Sequence, residues 1–128
     1  MPWRVSLNPE LPVVETLYSG LLNPAELSDA VRATVSALLE HGLTRVLSDC
    51  TELEGGHSIT DLYFLADAVL ASGLSQVMKE AVLMPSRHDP AVNAQFWETL
   101  CVNRFFSVRL FKERVAAIEW LLQDSESQ

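Results

Sequence analysis

Residues 45–69 read RVLSDCTELEGGHSITDLYFLADAV, and three physical signals follow one another within them. Residues 45–49 form a short run, apolar at its centre, that suits a buried strand. Residues 50–57 are polar and carry the paired Gly55 and Gly56, which reads as a loop. Ser58 with Asp61 makes a capping box, and Leu62, Leu65, Ala66, Val69 and Leu70 then recur at helical spacing, so a helix opens at Ser58 and closes at Gly73. Strand, loop and helix in that order are half of an α/β crossover.

The same alternation extends in both directions. Residues 3–7 alternate as a strand does, Asn8, Pro9, Glu10 and Pro12 supply a turn, and residues 13–18 are a second β-branched run, which together predict an opening hairpin broken by Gly20. Asn23, Pro24 and Glu26 are a helix start, with Leu27, Val31, Val35, Leu38 and Leu39 as its apolar stripe and Gly42 as its stop. On the other side, residues 81–84 read as a strand stopped by Pro85. Asp89 and Pro90 open a further helix with Val92, Phe96 and Leu100 on one face. Residues 108–111 form a last strand, and a final helix carries Val115, Ile118, Leu121 and Leu122. The order β-β-α-β-α-β-α-β-α predicts an α/β domain with four parallel strands and the first strand antiparallel at or near an edge.

Composition agrees with one domain of residues 1–123 and a polar tail of residues 124–128. The chain has 128 residues, 48% of them apolar and 20% charged, enough to bury a single core. No charged leader followed by an apolar segment stands after Met1, and no stretch has the apolar length of a membrane span, so a cytoplasmic protein without an integral membrane segment is expected. Nine Lys and Arg against seventeen Asp and Glu give a net charge of −8, which opposes the phosphate neutralisation that drives nucleic-acid binding. Cys50 and Cys101 stand far apart, outside any CxxC pair, and read as reduced, buried thiols.

No catalytic motif emerges. Asp49, Cys50, His57, Ser58 and Asp61 lie close in sequence, but triads are assembled by geometry and no GxSxG turn is present. His41, His57 and His88 lack a second ligand at metal-binding spacing, and Glu52 and Glu54 lack the dense oxygen spacing of a calcium loop. No metal or cofactor is expected. Gly55 and Gly56 ahead of a helix N-terminus loosely resemble an anion cradle, yet a simple turn accounts for them. Ser58 reads first as an N-cap and second as a phosphoacceptor, because phosphate at a helix N-terminus meets free N–H groups. Phe96, Trp97, Phe105 and Phe106 with Arg104 and Arg109 combine core aromatics with interface-type residues. Arg87 and His88 follow a strand, as does the segment after Asp49, and ligands of open α/β sheets sit beyond strand C-termini, so any pocket should lie between these loops.

The element order, the segment 46–49 with its following helix, and above all the ending VRLFKERVAAIEWL (residues 108–121) resemble the STAS-related, SpoIIAA-like family. Phe111, Ala117, Trp120 and Leu121 match the family's strand ending in Phe and helix carrying Ala and a Trp-Leu pair. Signalling members are phosphorylated on a serine at the start of the corresponding helix, in an Asp-Ser-Ser/Thr-Gly setting. Ser58 falls at that place, with His57, Ile59 and Thr60 as departures from the setting. The resemblance implies a regulatory binding module rather than an enzyme. It would engage a protein partner through residues 50–57 and the helix at Ser58, with Asp49, His57, Ser58, Thr60, Arg87 and His88 as the candidate surface. Fold kinship with lipid-binding CRAL-TRIO domains implies the alternative of a small apolar or amphipathic ligand, an uncharacterised enzyme comes third, and a homodimer through an edge strand or aromatic helix face is a further expectation.

Overall fold

The computed structural model describes residues 2–73, 77–104 and 106–123; the expected tail 124–128 and Phe105 lie outside them. The chain opens with β1 (Trp3–Leu7) and β2 (Val14–Leu21), joined by a turn that Asn8 organises. Its side-chain oxygen accepts from the N–H groups of Glu10 and Leu11, both at 2.9 Å, so the side chain closes the turn by satisfying two backbone donors of the loop. Then follow α1 (Pro24–His41), β3 (Arg45–Gly55), α2 (Ile59–Ala71), β4 (Lys79–Leu83), α3 (His88–Asn103), β5 (Ser107–Phe111) and α4 (Arg114–Leu122). Both expected capping boxes form, at Asn23 with Glu26 and at Ser58 with Asp61.

The strands lie in the order β1-β2-β3-β4-β5, with β1 antiparallel to β2 and every other pair parallel. Strands added in one direction through crossovers of one hand place their connecting helices on one face. Helices α1, α2 and α3 accordingly cover one face, packing Leu27, Leu38, Leu62, Leu65 and Leu100 against Val14, Val46, Val82 and Val108. The last helix, α4, has no strand to reach and folds onto the other face. There Ala117 and Leu121 meet Val13, Leu47, Ala81 and Leu83. The family-like ending contributes to this packing: the rings of Phe111 and Trp120 lie 5.7 Å apart, and Leu121 is fully buried. Cys50 and Cys101 are free and buried.

Several expectations are corrected. Gly20 does not end β2; at φ 68° it lets the strand bulge and continue, and the register against β3 shifts there. Because β2 continues, β3 has a partner beyond Asp49: Ser19 pairs with Glu52, Gly20 with Leu53 and Leu21 with Gly55. Residues 50–55 are therefore strand, with Cys50 and Leu53 buried, and the expected long loop shrinks to the turn before Ser58. In the helices, Leu39, Leu70, Val92, Val115 and Leu122 are exposed; the inner stripes take in Ala30 and Thr34 in α1 and Ala117 in α4, while in α2 Leu62, Leu65, Ala66 and Val69 are buried as expected. Helix α3 begins at His88, before the expected cap at Asp89; Pro90 fits the first turn, where no intrahelical donor is lost.

Candidate functional site

Alternation along the strands sends Tyr18, Val46, Ser48, Cys50, Glu80 and Val82 to the face that α1, α2 and α3 cover, and those helices do not fill the space above them. A cavity of about 100 Å³ remains, walled by these residues together with Val31, Thr34, Leu65, Ala94 and Trp97 and reached by His57. The lining is mostly aliphatic. Its one acidic group among the described residues is Glu80, buried at 9% exposure. Glu80 Oε2 accepts from the Ser48 hydroxyl at 2.6 Å, and Oε1 accepts from the Trp97 indole N–H at 2.9 Å. Burial pushes the Glu80 carboxyl up from its ordinary value, and these two hydrogen bonds pull it only part of the way back.

Other polar groups nearby are arranged with equal economy. Thr34 Oγ1 donates to the Ala30 carbonyl at 2.8 Å, so in its 2.7 Å contact with Thr16 it accepts. The Tyr18 hydroxyl is raised by burial and then by the charge of Glu80. Burial, with Glu80 and Asp49 beside it, likewise pushes the Cys50 thiol up, so it stays a thiol at neutral pH and lacks the thiolate that nucleophilic attack requires.

The residues singled out from sequence separate into three places. His57 stands at the cavity, where Nδ1–H donates to the Leu22 carbonyl at 3.3 Å and its own carbonyl receives the Asn93 amide at 3.5 Å. The Gly55–Gly56 pair serves this junction. Leu22 N–H donates to Gly55 O at 2.8 Å, and a Cβ on Gly56, whose φ is +103°, would lie 2.4 Å from the Leu22 carbonyl oxygen. Close backbone approach thus explains the second glycine. Ser58 caps α2: its hydroxyl donates to Asp61 Oδ2 at 2.9 Å and its N–H donates to the same oxygen at 2.7 Å. The Ser58 backbone and hydroxyl donors hold the Asp61 carboxyl below its ordinary value. Thr60 is exposed on the first turn of α2.

Asp49 lies on the opposite sheet face from the cavity, one residue out of phase with Ser48 and Cys50, and accepts from Thr51 N–H at 3.0 Å and Thr51 Oγ1 at 2.7 Å. On that face Arg114 Nη2 approaches Glu15 Oε2 at 2.7 Å. Burial raises Glu15, but the hydrogen bonds from Arg114 and Asn8 outweigh it and leave its carboxyl below the ordinary value. Arg87 sits 4.0 Å from Glu54 over a shallow polar depression formed with Ser19, Thr51, Glu52 and Ser86. This polar depression of about 460 Å³ lies where strand C-termini were expected to place a pocket, between the segment after Asp49 and the Arg87 loop; the smaller, apolar cavity lies elsewhere, under the helices. His88 is exposed at the start of α3.

Sequence reasoning missed Glu80, Ser48, Trp97 and Tyr18 as one group. The signal was period-two alternation: once Val82 and Val46 are assigned to the core, Glu80 and Ser48 share their face. Placing the strand start at Ala81, after the charge, concealed it. Among the described residues no group of three His, Cys, Asp or Glu side chains is placed to hold a metal ion, and no helix is long and apolar enough to cross a membrane.

No protein-family model matches the chain, and no curated protein matches it in sequence. Solved structures do match in fold. An uncharacterized DUF3478-family protein with a SpoIIAA-like fold from Shewanella loihica PV-4 superposes with a TM-score of 0.58 at 20% identity, covering 93% of each chain. The NMR structure of the protein TM1081 superposes at 0.60 with 14% identity, over 94% of this chain and 88% of that one. Together with the mixed five-stranded sheet and its four helices, these likenesses establish that the chain has a SpoIIAA-like fold.

Proposed function

We propose that the protein is a non-catalytic binding module whose site is the cavity beneath α1, α2 and α3. The observation that carries this reading is a half-open, largely apolar space of about 100 Å³ with one hydrogen-bonded carboxyl in its wall. Ligand sites are mostly apolar concavities with a few convergent polar groups, and this cavity has that make-up. Its size sets the ligand class. A dry cavity of about 150 Å³ takes benzene, so this one suits a body of about four to six heavy atoms and is too small for a long acyl chain without rearrangement.

The test is a titration with small apolar probes such as 3-methylbutanol, followed by amide chemical shifts. Shifts are expected to converge on Val46, Leu65, Ala94 and Trp97. Saturation at a hundredfold excess over Kd stabilises the fold by about 2.7 kcal/mol. Ala94→Leu fills the space and is expected to abolish both effects while leaving the spectrum folded. Shifts confined to the surface, or unchanged by Ala94→Leu, refute the reading.

A second reading, a protein partner on the outer face of α2, is favoured by a specific feature. Ile59, Tyr63, Phe64 and Leu70 are all exposed there, an uncommon density of large apolar groups on one helix. In this version the partner surface is α2 rather than residues 50–57, which are mostly paired strand. Phosphorylation of Ser58 would set a phosphate against the Asp61 carboxylate and cost the cap, so a switch at this position would act by loosening the first turn of α2. A Phe64→Ser variant that keeps every partner captured by the wild type counts against this second reading.

A further inference from the structure

We infer that the cavity selects a small primary amine, its ammonium group set against Glu80 and a branched body of four or five carbons enclosed by the aliphatic lining. This rests on the reading of the cavity as a ligand site, and it follows from what the wall offers and what it lacks.

Glu80 presents a carboxyl to the cavity with each oxygen accepting a single hydrogen bond, from Ser48 at 2.6 Å and from Trp97 at 2.9 Å. A carboxylate has about four acceptor positions, so capacity for a ligand donor remains on both oxygens. Among the described residues, neither a lysine nor an arginine lines the cavity. The fold has therefore removed an acid from water and bonded it to two neutral donors; the basic ring in the lining, His57, directs Nδ1 to the Leu22 carbonyl rather than to Glu80. Desolvation of that carboxyl is already incurred on folding, and only the ligand's own head group must shed water on entry. An ammonium supplies the missing charge and three donors, and charge-assisted hydrogen bonds are about twice as strong as neutral ones.

Other head groups fare worse. A carboxylate would face Glu80 without a lysine or arginine to receive it, in a protein whose net charge of −8 repels anions and concentrates cations nearby. An alcohol would gain a single neutral hydrogen bond. Proton balance is simple: the amine enters from water as R–NH3+, Glu80 gives up its proton to solvent if it holds one, and the complex is an ion pair braced by Ser48 and Trp97. No bond to carbon changes.

The experiment compares three molecules that share one branched skeleton: 3-methylbutylamine, 3-methylbutanol and 3-methylbutanoate, each titrated into the full chain and read by amide shifts and calorimetry. The amine is expected to bind at least about tenfold tighter than the alcohol, a gap of about 1.4 kcal/mol, and the carboxylate not to bind. Glu80→Gln keeps the shape and is expected to weaken the amine by about tenfold or more while leaving the alcohol within about threefold. Ala94→Leu, with Glu80 intact, must abolish amine binding, which separates the cavity from the many surface carboxylates. An alcohol that binds as tightly as the amine, or amine affinity unchanged by Glu80→Gln, overturns the choice of head group and leaves the cavity reading standing. If none of the three shifts a cavity resonance, both fall.

Discussion

Removing the Ser48 hydroxyl tests the buried carboxyl directly. Ser48 is 3% exposed and Glu80 9%, and their oxygens lie 2.6 Å apart, so Ser48→Ala deletes a donor that water cannot readily replace. A hydrogen bond to a charged group contributes about 1.5–3 kcal/mol and one between neutral groups about 0.5–1.5 kcal/mol. Which value applies depends on whether Glu80 is ionised. Burial first, opposed by Ser48 and Trp97, holds its carboxyl above the ordinary 4.5. The folded chain thus keeps this proton to higher pH than the unfolded chain does. The stability contributed by the group is full below the ordinary carboxylate range and is lost as pH rises through the raised value. Without the Ser48 donor the ionised form is disfavoured further, so the loss becomes steeper. Urea unfolding of wild type and Ser48→Ala from about pH 4 to about pH 8 is expected to show a deficit near 1 kcal/mol at the acid end, growing by about another 1 kcal/mol at the alkaline end. Each kcal/mol corresponds to a Tm shift of about 3–5 °C in a domain of this size. The neighbouring Tyr18 and Cys50 are pushed up by burial in wild type and variant alike, so their contribution cancels in the difference between the two. A deficit that is flat with pH, or largest at the acid end, refutes the account of Glu80.

Two further substitutions probe how the site is held. Gly56→Ala places a Cβ 2.4 Å from the Leu22 carbonyl oxygen at φ +103° and is expected to destabilise by more than about 2 kcal/mol; Gly55→Ala, which meets nothing within 4 Å at φ +128°, should cost visibly less, and equal penalties in thermal melts would remove the crowding argument. Ser58→Ala deletes the side-chain cap that accepts from Asp61 N–H at 3.3 Å and is expected to cost about 1 kcal/mol, with amide exchange accelerated in the first turn of α2; an unchanged exchange pattern would mean that the Asp61 carboxylate alone secures the helix start.

What was legible in the sequence is what is decided locally. Asn23 with Glu26 and Ser58 with Asp61 specify their helix starts through hydrogen bonds that span three residues, so they can be read from spacing alone. Asn8 at the first turn is equally local. The reach of β3 was not legible, because residues 50–55 are strand only through pairing with β2 beyond a bulge at Gly20. A polar segment next to paired glycines reads as loop until its partner is known. Gly56 was misread for the same reason, since the atoms that demand glycine belong to Leu22, far back in the chain. Asp49 and Ser48 are a different lesson. Alternation from Val46 and Leu47 assigns Ser48 to the helix-covered face and Asp49 to the other, so their separation was readable in principle. Glu80 was hidden by treating a charge as the boundary of a strand.

The cavity and Glu80 point in the same energetic direction. A closed void in a core costs about 24 cal/mol per Å³, so for this half-open space of about 100 Å³ roughly 2.4 kcal/mol is the upper bound on that scale. A buried carboxyl adds its own penalty at neutral pH. Against a total stability of about 5–15 kcal/mol for a domain, the first figure alone is a sizeable fraction. A leucine at Glu80 would reduce both, filling space beside Val46 and Val82 with apolar volume and leaving no acid to desolvate. Ser48 and Trp97 would then lose their shared acceptor, yet a serine hydroxyl and an indole N–H are far easier to satisfy or replace than a carboxylate. Local departures from good packing and good solvation coincide here at one point, on the rigid central strands of the sheet rather than in a loop. Coincidence of that kind is what a binding site requires, because a ligand that fills the volume and meets the acid recovers both losses at once.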